Sequence, residues 1–451
     1  MLKSKNVDML NGSIAKGLIV LAIPILLMNV INNLYNTIDM SILGKYASDT
    51  AVGGVGACSN VIGLFTNFFI GISVGVNVLV ARFVGKGDRN NTEKAVGTSL
   101  FVSLAGSVII GVLGIILSEV LLKMTNCPES LMKDAVLYFK LYFLGVPSIF
   151  LYNFAAAILR SIGDSKRPMY FLVFSGAIKV FFNFIFVYFF NAGVIGVAFA
   201  TIISFTIASV LCLNAIKHHT EHFTFTLSSM KPTRDEMKEV MKIGLPAGVQ
   251  RCLYSIANVV IMTAVNSFGE HATTGVSIAN QFDNILYNIA TAIPLAATPY
   301  IAQNVGAKNL PRVKKAIIYG TLMTIAIGAS FGALSAIFSE QLSSIISTTP
   351  EVIKYSCQKM VIVSSTYFIC GINELLGGAM RGLGRNNIPT VTTFLFMCVI
   401  RFIWVYFVFP FYPNLTFLYL IWPIGWILCI VTQLFYYFPT MKRLEKSTNE
   451  G

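Results

Sequence analysis

The sequence predicts an all-α membrane protein with twelve transmembrane helices in two six-helix lobes related by pseudo-two-fold symmetry. The 451-residue chain is 55% hydrophobic and only 12% charged, whereas soluble domains carry about 25% charged residues. Apolar stretches of about 20 residues, the length of a helix that spans a bilayer, recur along the whole chain. The sequence also repeats itself at a shift of 221 or 222 residues, which indicates two similar bundles.

The apolar stretches are interpreted as helices because lipid cannot satisfy the open edges of strands. The first stretch is too long for the apolar core of a signal peptide and lacks a small-residue cleavage site, so we count it as the first helix. The predicted spans are residues 14–39, 51–80, 95–118, 134–159, 168–190, 193–216, 239–267, 272–303, 313–338, 352–380, 388–411 and 415–438.

The repeat defines the domain organisation. Arg-Ser-Ile-Gly-Asp begins at Arg160 and Arg-Gly-Leu-Gly-Arg begins at Arg381, while Pro24 and Asn36 correspond to Pro246 and Asn258. We expect an N-lobe over residues 1–216, a polar cytoplasmic linker over 217–238 and a C-lobe over 239–451. Each half contains an even number of spans, so the two repeats are expected to run parallel.

The distribution of positive charge predicts the orientation in the membrane. The formal net charge is +13, but 24 of the 33 Lys and Arg residues lie at the termini or in even-numbered loops and only four in odd-numbered loops. This bias is typical of cytoplasmic loops and not of a nucleic-acid-binding surface. We expect a multi-pass protein of the inner (plasma) membrane, monomeric, with both termini cytoplasmic and no nucleic acid partner.

The chain carries no motif of a catalytic or cofactor site. The eight cysteines have no CxxC pairing, Gly85-Lys86-Gly87 lacks the P-loop spacing, and HExxH is absent. His218, His219, Glu221 and His222 have the spacing of metal ligands, but they fall in the linker. We expect them to be solvated there, because a metal site needs fixed ligands. The sequence therefore predicts no enzyme activity, no cofactor and no metal.

Several spaced motifs resemble the multidrug and toxic compound extrusion (MATE) family, prokaryotic type. They are Pro24 with Asn36–Met40 and Gly44, the loops 81–87 and 303–308, the turns at Arg160 and Arg381, and Gly196–Thr201. The match covers nearly the entire chain. The resemblance implies a V-shaped antiporter that exports amphipathic, cationic organic compounds by alternating access against inward H⁺ or Na⁺.

The resemblance also implies an ion-coupling site in the N-lobe. The positions that match the family's site are Asp39, Lys179, Asn183 and Thr201. Two of them depart from the family pattern, since a lysine replaces an asparagine at 179 and an asparagine replaces an aspartate at 183. Two interpretations of Asp39 and Lys179 stay open: a coupling pair, or a static ion pair that fixes two helices.

Charged and polar side chains within the spans are the candidates for the substrate cavity. A charge near the bilayer midplane costs at least about 2.5–3.5 kcal/mol if it faces lipid, so each is expected to face a cavity or a partner. We expect three acids and three bases to neutralise one another, and proline can kink a helix as a hinge. The cavity candidates are Asn32, Asn36, Asn258, Asn280, Asp283, Glu374, Arg251 and Arg401, and the hinge candidates are Pro24 and Pro246.

Three functions are weighed. The first is ion-coupled export of amphipathic cations. The second is export or flipping of anionic or lipid-linked substrates, which Lys179, Arg251 and Arg401 favour because their charges attract anions. The third, an intramembrane enzyme, lacks any paired acid and base, nucleophile or metal motif.

Overall fold

The structure is a computed structural model that describes residues 6–125, 127–219 and 221–449. Within these residues, twelve helices are long and apolar enough to cross a membrane, which confirms the predicted fold class. The first six are α1 (Ile14–Tyr46), α2 (Asp49–Lys86), α3 (Arg89–Met124), α4 (Glu129–Ser161), α5 (Lys166–Phe189) and α6 (Gly193–Lys217). The second six are α7 (Arg234–Asn266), α8 (Glu270–Gly306), α9 (Leu310–Ile337), α10 (Pro350–Gly382), α11 (Asn387–Phe411) and α12 (Leu415–Thr448).

Most helices extend several residues beyond the apolar stretches that predicted them. Between α2 and α3 only two residues are not helical. Gly87 ends α2 with a left-handed φ of 69°, and the Asp88 side chain accepts a hydrogen bond from the backbone amide of Asn91 at the start of α3. Such caps satisfy the free amides and carbonyls of a helix end, so helical structure continues past the apolar core.

Several of the described helices depart from regular α-helical geometry, and α12 is interrupted by a turn at Leu420. The last turn of α5, Ile185–Phe189, is π-helical. In α11 the four-residue α-helical segment Ile400–Ile403 lies between two π-helical segments, and α10 contains a 3₁₀ turn at Ser364–Thr366. π-Helical turns inside α-helices are frequent at functional sites. Arg401 lies between the two π-helical segments of α11, and Ser364 opens the 3₁₀ turn of α10.

The chain forms two compact units. The first contains Leu27–Gly248 with the N-terminal stretch that ends at Val7, and the second contains Asp8–Leu26 and Val249–Gly451. The chain passes from one unit to the other inside α1 and again inside α7, in each case two residues after a proline, Pro24 or Pro246. The predicted lobe boundaries at residues 216 and 239 follow the sequence repeat and stay a prediction.

In the first unit, α4 packs against α2, α3 and α6. The first half of α7 crosses α2 through two Gly-xxx-Gly pairs, Gly71 with Gly75 and Gly244 with Gly248. A Cβ added at Gly244 would lie 2.6 Å from the carbonyl oxygen of Ile72. Small residues let helix backbones approach closely in membranes, so glycine is required at this crossing.

In the second unit, α8 packs against α9 and α10, and α12 packs against α10. The segment before α1 is held at the ends of α8 and α9. Asn304 Nδ2 donates to the carbonyl of Met9 at 3.0 Å, while Arg312 donates to the carbonyl of Gly12 at 2.7 Å and to the hydroxyl of Tyr300 at 2.6 Å. These bonds fix the entry to α1 on the second unit.

The linker between α6 and α7 is attached to α3, so the expectation that it is solvated is wrong for its buried residues. Phe223 is fully buried. The backbone amide of Thr224 donates to Glu93 at 2.8 Å, and Arg89 donates to the Thr224 hydroxyl at 2.6 Å. Aromatic side chains in a polar stretch take it out of solvent by packing, and the polar residues then bond to the nearest helix.

Candidate functional site

Asp39 of α1 meets two side chains of α5 in the interior of the first unit. Lys179 Nζ lies 2.6 Å from Asp39 Oδ2, and Asn183 Nδ2 donates to Asp39 Oδ1. Asp39, Lys179 and Asn183 are 6%, 4% and 0% exposed. The predicted contact between Asp39 and Lys179 is therefore present, and Asn183 completes a buried cluster of one acid, one base and one amide.

The spacing on α5 explains the geometry of this cluster. Lys179 and Asn183 are four residues apart, so their side chains lie one turn apart on the same helix face. Asn183 directly precedes the last α-helical residue before the π-helical turn of α5. Thr201 of α6 is buried, but its hydroxyl donates to the carbonyl of Val197 at 2.9 Å. The structure thus brings three of the four predicted ion-site residues together.

A second buried ion pair lies in the second unit. Lys359 Nζ of α10 is 2.8 Å from Asp283 Oδ2 of α8, and the two residues are 2% and 6% exposed. Lys359 also donates to Asn280 Oδ1, one turn before Asp283, and Ser364 donates to Asp283 Oδ1 at 3.1 Å. Ser364 opens the 3₁₀ turn of α10, so this irregular turn supplies a hydrogen bond to the carboxylate.

Arg401 of α11 is buried, and its neighbours among the described residues include an amide and an indole. It is 1% exposed, and its Nη1 donates to Asn258 Oδ1 of α7 at 2.9 Å. The guanidinium lies 5.1 Å from the ring centre of Trp422, and Lys359 Nζ lies 5.5 Å from the same ring. Such cation–π contacts offset part of the cost of burying a charge. The Trp422 ring therefore contacts two buried cations.

Glu374 of α10 belongs to a separate polar network. Its Oε1 accepts a hydrogen bond from the Tyr254 hydroxyl at 3.1 Å, and Asn373 donates to the same hydroxyl at 3.0 Å. Gln433 of α12 donates to Asn373 at 2.9 Å. Arg381 donates to Gln250 at 2.6 Å. The network joins α7, α10 and α12 around one carboxylate.

The prediction that the three acids neutralise the three basic residues inside the spans is therefore wrong in part. Asp283 takes Lys359 as its partner, and Glu374 accepts from a tyrosine. Among the residues that the structure describes, no carboxylate oxygen lies within 4 Å of a side-chain nitrogen of Arg251 or Arg401. Asp283 and Glu374 bond to other donors, so these two arginines have no carboxylate at ion-pair distance within the described residues.

The remaining candidates differ in their surroundings. Asn32 and Asn280 are half-buried and Asn36 is exposed on α1. Pro24 is buried and Pro246 is half-buried, and both lie inside their helices as predicted. The exposed amide of Asn36 stays a candidate for substrate contact.

Sequence reasoning missed Lys359 and Trp422. Lys359 lies ten residues into α10, which is about 14 Å from the helix start at a rise of 1.5 Å per residue. This depth could have identified Lys359 from the sequence, because a lysine so far inside a transmembrane helix needs a partner. Trp422 gave no such signal, since an aromatic residue at the start of a span is ordinary at a membrane interface.

The family model for MatE matches the chain twice, over residues 24–185 and 246–407. The two matches are displaced by 222 residues, which is the shift of the sequence repeat. The chain belongs to the MatE family. The resemblance inferred from the motifs is thereby confirmed, and the protein is a multi-pass membrane transporter of the prokaryotic MATE efflux type.

Curated relatives and solved structures agree with this assignment. The chain is 27% identical to "Probable multidrug resistance protein YpnP" of Bacillus subtilis over 398 residues, covering 88% of this chain and 89% of that protein. It is 23% identical to the "FAD transporter" of Shewanella oneidensis over 365 residues, covering 77% and 79%.

A solved structure described as "Crystal structure of MATE in the bent conformation" matches with a TM-score of 0.90 and 20% identity. The match covers 99% of each chain. At this identity the likeness supports the fold alone. Together with the family match, it accounts for the twelve helices and the two lobes.

Proposed function

We propose that this transporter is an H⁺- or Na⁺-coupled antiporter that exports amphipathic, cationic organic compounds by alternating access. In this proposal Asp39 is the coupling carboxylate, and Lys179 and Asn183 hold it while the site is empty. The observation that carries the proposal is the buried contact between Asp39 and Lys179 at 2.6 Å. An ionisable pair inside a membrane helix bundle is costly, and such pairs commonly mark ion pathways.

The cluster supports coupling because Asp39 can hold one cation at a time. In the empty state that cation is the Lys179 ammonium. A proton that binds Asp39 removes its negative charge and releases the ammonium, whereas a sodium ion must displace the ammonium from the oxygens. Sodium also requires several oxygen ligands, while Lys179 and Asn183 present N–H donors to Asp39. These donors favour H⁺ as the coupling ion.

Alternating access then requires that ion binding at Asp39 change the conformation of α1. Asp39 lies on α1, and Pro24 interrupts the hydrogen bonds of the same helix. The passage between the compact units falls two residues after Pro24 and two residues after Pro246. We propose both prolines as hinges, with Asp39 controlling the helix that carries the first of them.

The test is transport by the full-length protein in proteoliposomes with an imposed pH or Na⁺ gradient. The proposal expects uptake or release of a fluorescent amphipathic cation that follows one of these gradients. Asp39→Asn should lose at least about tenfold of this activity, because the neutral amide cannot bind the ion. Glu119→Gln is the matched control, since Glu119 is an exposed acid paired with Lys123 at 2.7 Å. Gradient-driven transport that is equal in Asp39→Asn and in the control contradicts the proposal.

A second candidate, export of anionic or lipid-linked substrates, is favoured by Arg401. Its buried charge has an amide and an indole as neighbours, so it could attract an anion if the cavity opens towards it. The relative from Shewanella oneidensis is described as a transporter of FAD, which is an anion. Competition between a cationic and an anionic fluorescent compound in the same proteoliposomes separates the two candidates.

A further inference from the structure

We propose that His219, Glu221 and His222 form a binding site for one divalent transition-metal ion of the Zn²⁺ class. A ring nitrogen of each histidine and a carboxylate oxygen of Glu221 lie within 4.8 Å of one another. Zn²⁺ binds histidine and carboxylate at about 2.0–2.2 Å, so the ligand atoms of a tetrahedral ion lie about 3.4 Å apart. The three side chains are near enough to reach one ion by small rotations. The proposal goes beyond transport, because the three residues lie in the linker between α6 and α7.

The first support is the condition of His219. Its side chain is only 6% exposed, and its Nε2 has no hydrogen-bond partner within the described part of the chain. A buried polar nitrogen without a partner is costly. A metal ion that binds Nε2 removes this cost. If the metal binds Nδ1 instead, Nε2 carries the proton and acts as a hydrogen-bond donor.

The second support is the fixed position of the linker. Phe223 and Phe225, directly after the histidines, are 0% and 4% exposed. Thr224 between them is bonded to Glu93 and Arg89 of α3. The His219 ring also packs against the rings of His222 and Phe223, at centroid distances of 5.4 and 5.1 Å. Ligands on a chain segment held this way lose little freedom on binding, which favours affinity.

The electrostatics of the cluster are compatible with a cation. Burial, with smaller contributions from His222 and Arg167, lowers the pKa of His219 to about 4. Glu221 supplies one negative charge, and it is exposed, so a water molecule can reach the remaining coordination position. Arg167 opposes the metal charge, but it is itself paired with Asp164.

The ligand set selects the kind of metal. Two imidazoles and one carboxylate suit Zn²⁺, Co²⁺, Ni²⁺ and Cu²⁺, whereas Mg²⁺ and Ca²⁺ prefer oxygen ligands alone. Three protein ligands leave a fourth position for solvent in a tetrahedral ion. We therefore expect one equivalent of Zn²⁺ or Co²⁺ at this site, resistant to excess Mg²⁺.

The experiment measures Zn²⁺ binding to the purified, tag-free, full-length protein by equilibrium dialysis, with Co²⁺ absorption as a second readout. The wild type should bind one equivalent that His219→Ala and His222→Ala each lose, and Glu221→Gln should bind at least about tenfold more weakly. His218→Ala is the matched control, because His218 is exposed and its Nδ1 contacts the carbonyl of Asn214 at 2.8 Å.

Two results overturn the proposal. One is Zn²⁺ stoichiometry in the His219→Ala and His222→Ala variants equal to that of the wild type. The other is a wild type that binds no Zn²⁺, or a Co²⁺ complex without the intense visible bands of tetrahedral coordination. Size-exclusion profiles and unfolding temperatures of the metal-free variants show whether each is folded, so a misfolded variant is recognised and replaced by His219→Gln.

Discussion

Lys179 and Arg401 are both buried and lie 222 residues apart, which is the displacement of the two family-model matches, yet they have different partners. Lys179 donates to the Asp39 carboxylate at 2.6 Å, whereas Arg401 donates to the Asn258 amide at 2.9 Å. The position equivalent to Asp39 is Ile261, which is buried and apolar. The duplicated scaffold thus retains a buried cation in each half, but only the first half retains the carboxylate. This asymmetry makes the first half the expected place of ion coupling.

Removing one charge of the Asp39–Lys179 pair should destabilise the protein more than removing both charges. Lys179→Met leaves Asp39 buried beside an apolar chain, at an expected loss of about 3–5 kcal/mol in the free energy of unfolding. Asp39→Asn with Lys179→Met should recover most of that loss, because no uncompensated charge remains. Unfolding by SDS in mixed micelles measures all variants. A loss in the double variant that equals the sum of the losses in Lys179→Met and Asp39→Asn would show that the two charges do not interact.

The Asp283–Lys359 pair should show the same pattern of stability changes, independently of the Asp39–Lys179 pair. Lys359→Met is expected to lower the free energy of unfolding by about 3–5 kcal/mol. The double variant, Asp283→Asn with Lys359→Met, should lower it by less. The matched control is Lys354→Met near the start of α10, since Lys354 is exposed and should change stability by about 0.5 kcal/mol or less. The same denaturation assay applies. A Lys359→Met protein as stable as the Lys354→Met control would contradict the assignment of this pair.

Removing the charge of Arg401 tests the sign of the substrate. Under the proposed cation export, Arg401→Gln should leave transport intact and tighten the apparent affinity for a cation by up to about fivefold, since one partly screened charge contributes up to about 1 kcal/mol. Under anion export the same variant should lose activity. Half-saturation concentrations in proteoliposomes measure the effect. A loss of anion transport in Arg401→Gln, with no cation transport in the wild type, would favour the second candidate.

The helix prolines should control the rate of transport and not substrate affinity. Pro24→Ala and Pro246→Ala restore a backbone hydrogen bond and straighten their helices. We expect a several-fold slower turnover with substrate binding within about twofold of wild type. Pro439→Ala is the control, because Pro439 also lies inside a helix, α12, but away from the passages between the units. A control that slows transport as much as the other two would remove the hinge argument.

The crossing of α2 and α7 should not tolerate a methyl group. Gly244→Ala would bring a Cβ to 2.6 Å from the carbonyl oxygen of Ile72, so the two backbones must separate. Overpacking of this kind costs about 1–3 kcal/mol. Gly56→Ala in α2 is the matched control, because nothing lies within 4 Å of the added Cβ. Thermal unfolding in detergent compares them. Equal unfolding temperatures for both variants would show that the close approach is not required.

The sequence predicted the helices, the repeat and the Asp39–Lys179 contact because each depends on local or duplicated information. Apolar length predicts a span whatever its neighbours, and the repeat identifies equivalent positions without a structure. The family resemblance then placed Asp39 opposite α5. The extra turns of α2 and α3 depend on caps such as Asp88, which hydropathy does not measure.

The partners of the deep charges in the second half could not be assigned from the sequence. Asp283 bonds Lys359 and not Arg251 or Arg401, because the face that α8 presents to α10 depends on helix rotation. A 3₁₀ turn in α10 and two π-helical segments in α11 change that rotation locally. Hydropathy has no signal for such irregular turns. The attachment of the linker to α3 was missed for a similar reason, since its two phenylalanines are scattered in a polar stretch.

The central claim is that Asp39 binds the coupling ion. It is tested most directly by measuring which ion the substrate displaces from the protein. Purified protein in weakly buffered detergent solution is mixed with saturating substrate, and released H⁺ is measured with a pH indicator and released Na⁺ with a radioactive tracer. We predict release of about one ion per chain from the wild type and from the Glu119→Gln control, and none from Asp39→Asn. Release from Asp39→Asn that equals release from the wild type, with substrate bound by both, would contradict the account.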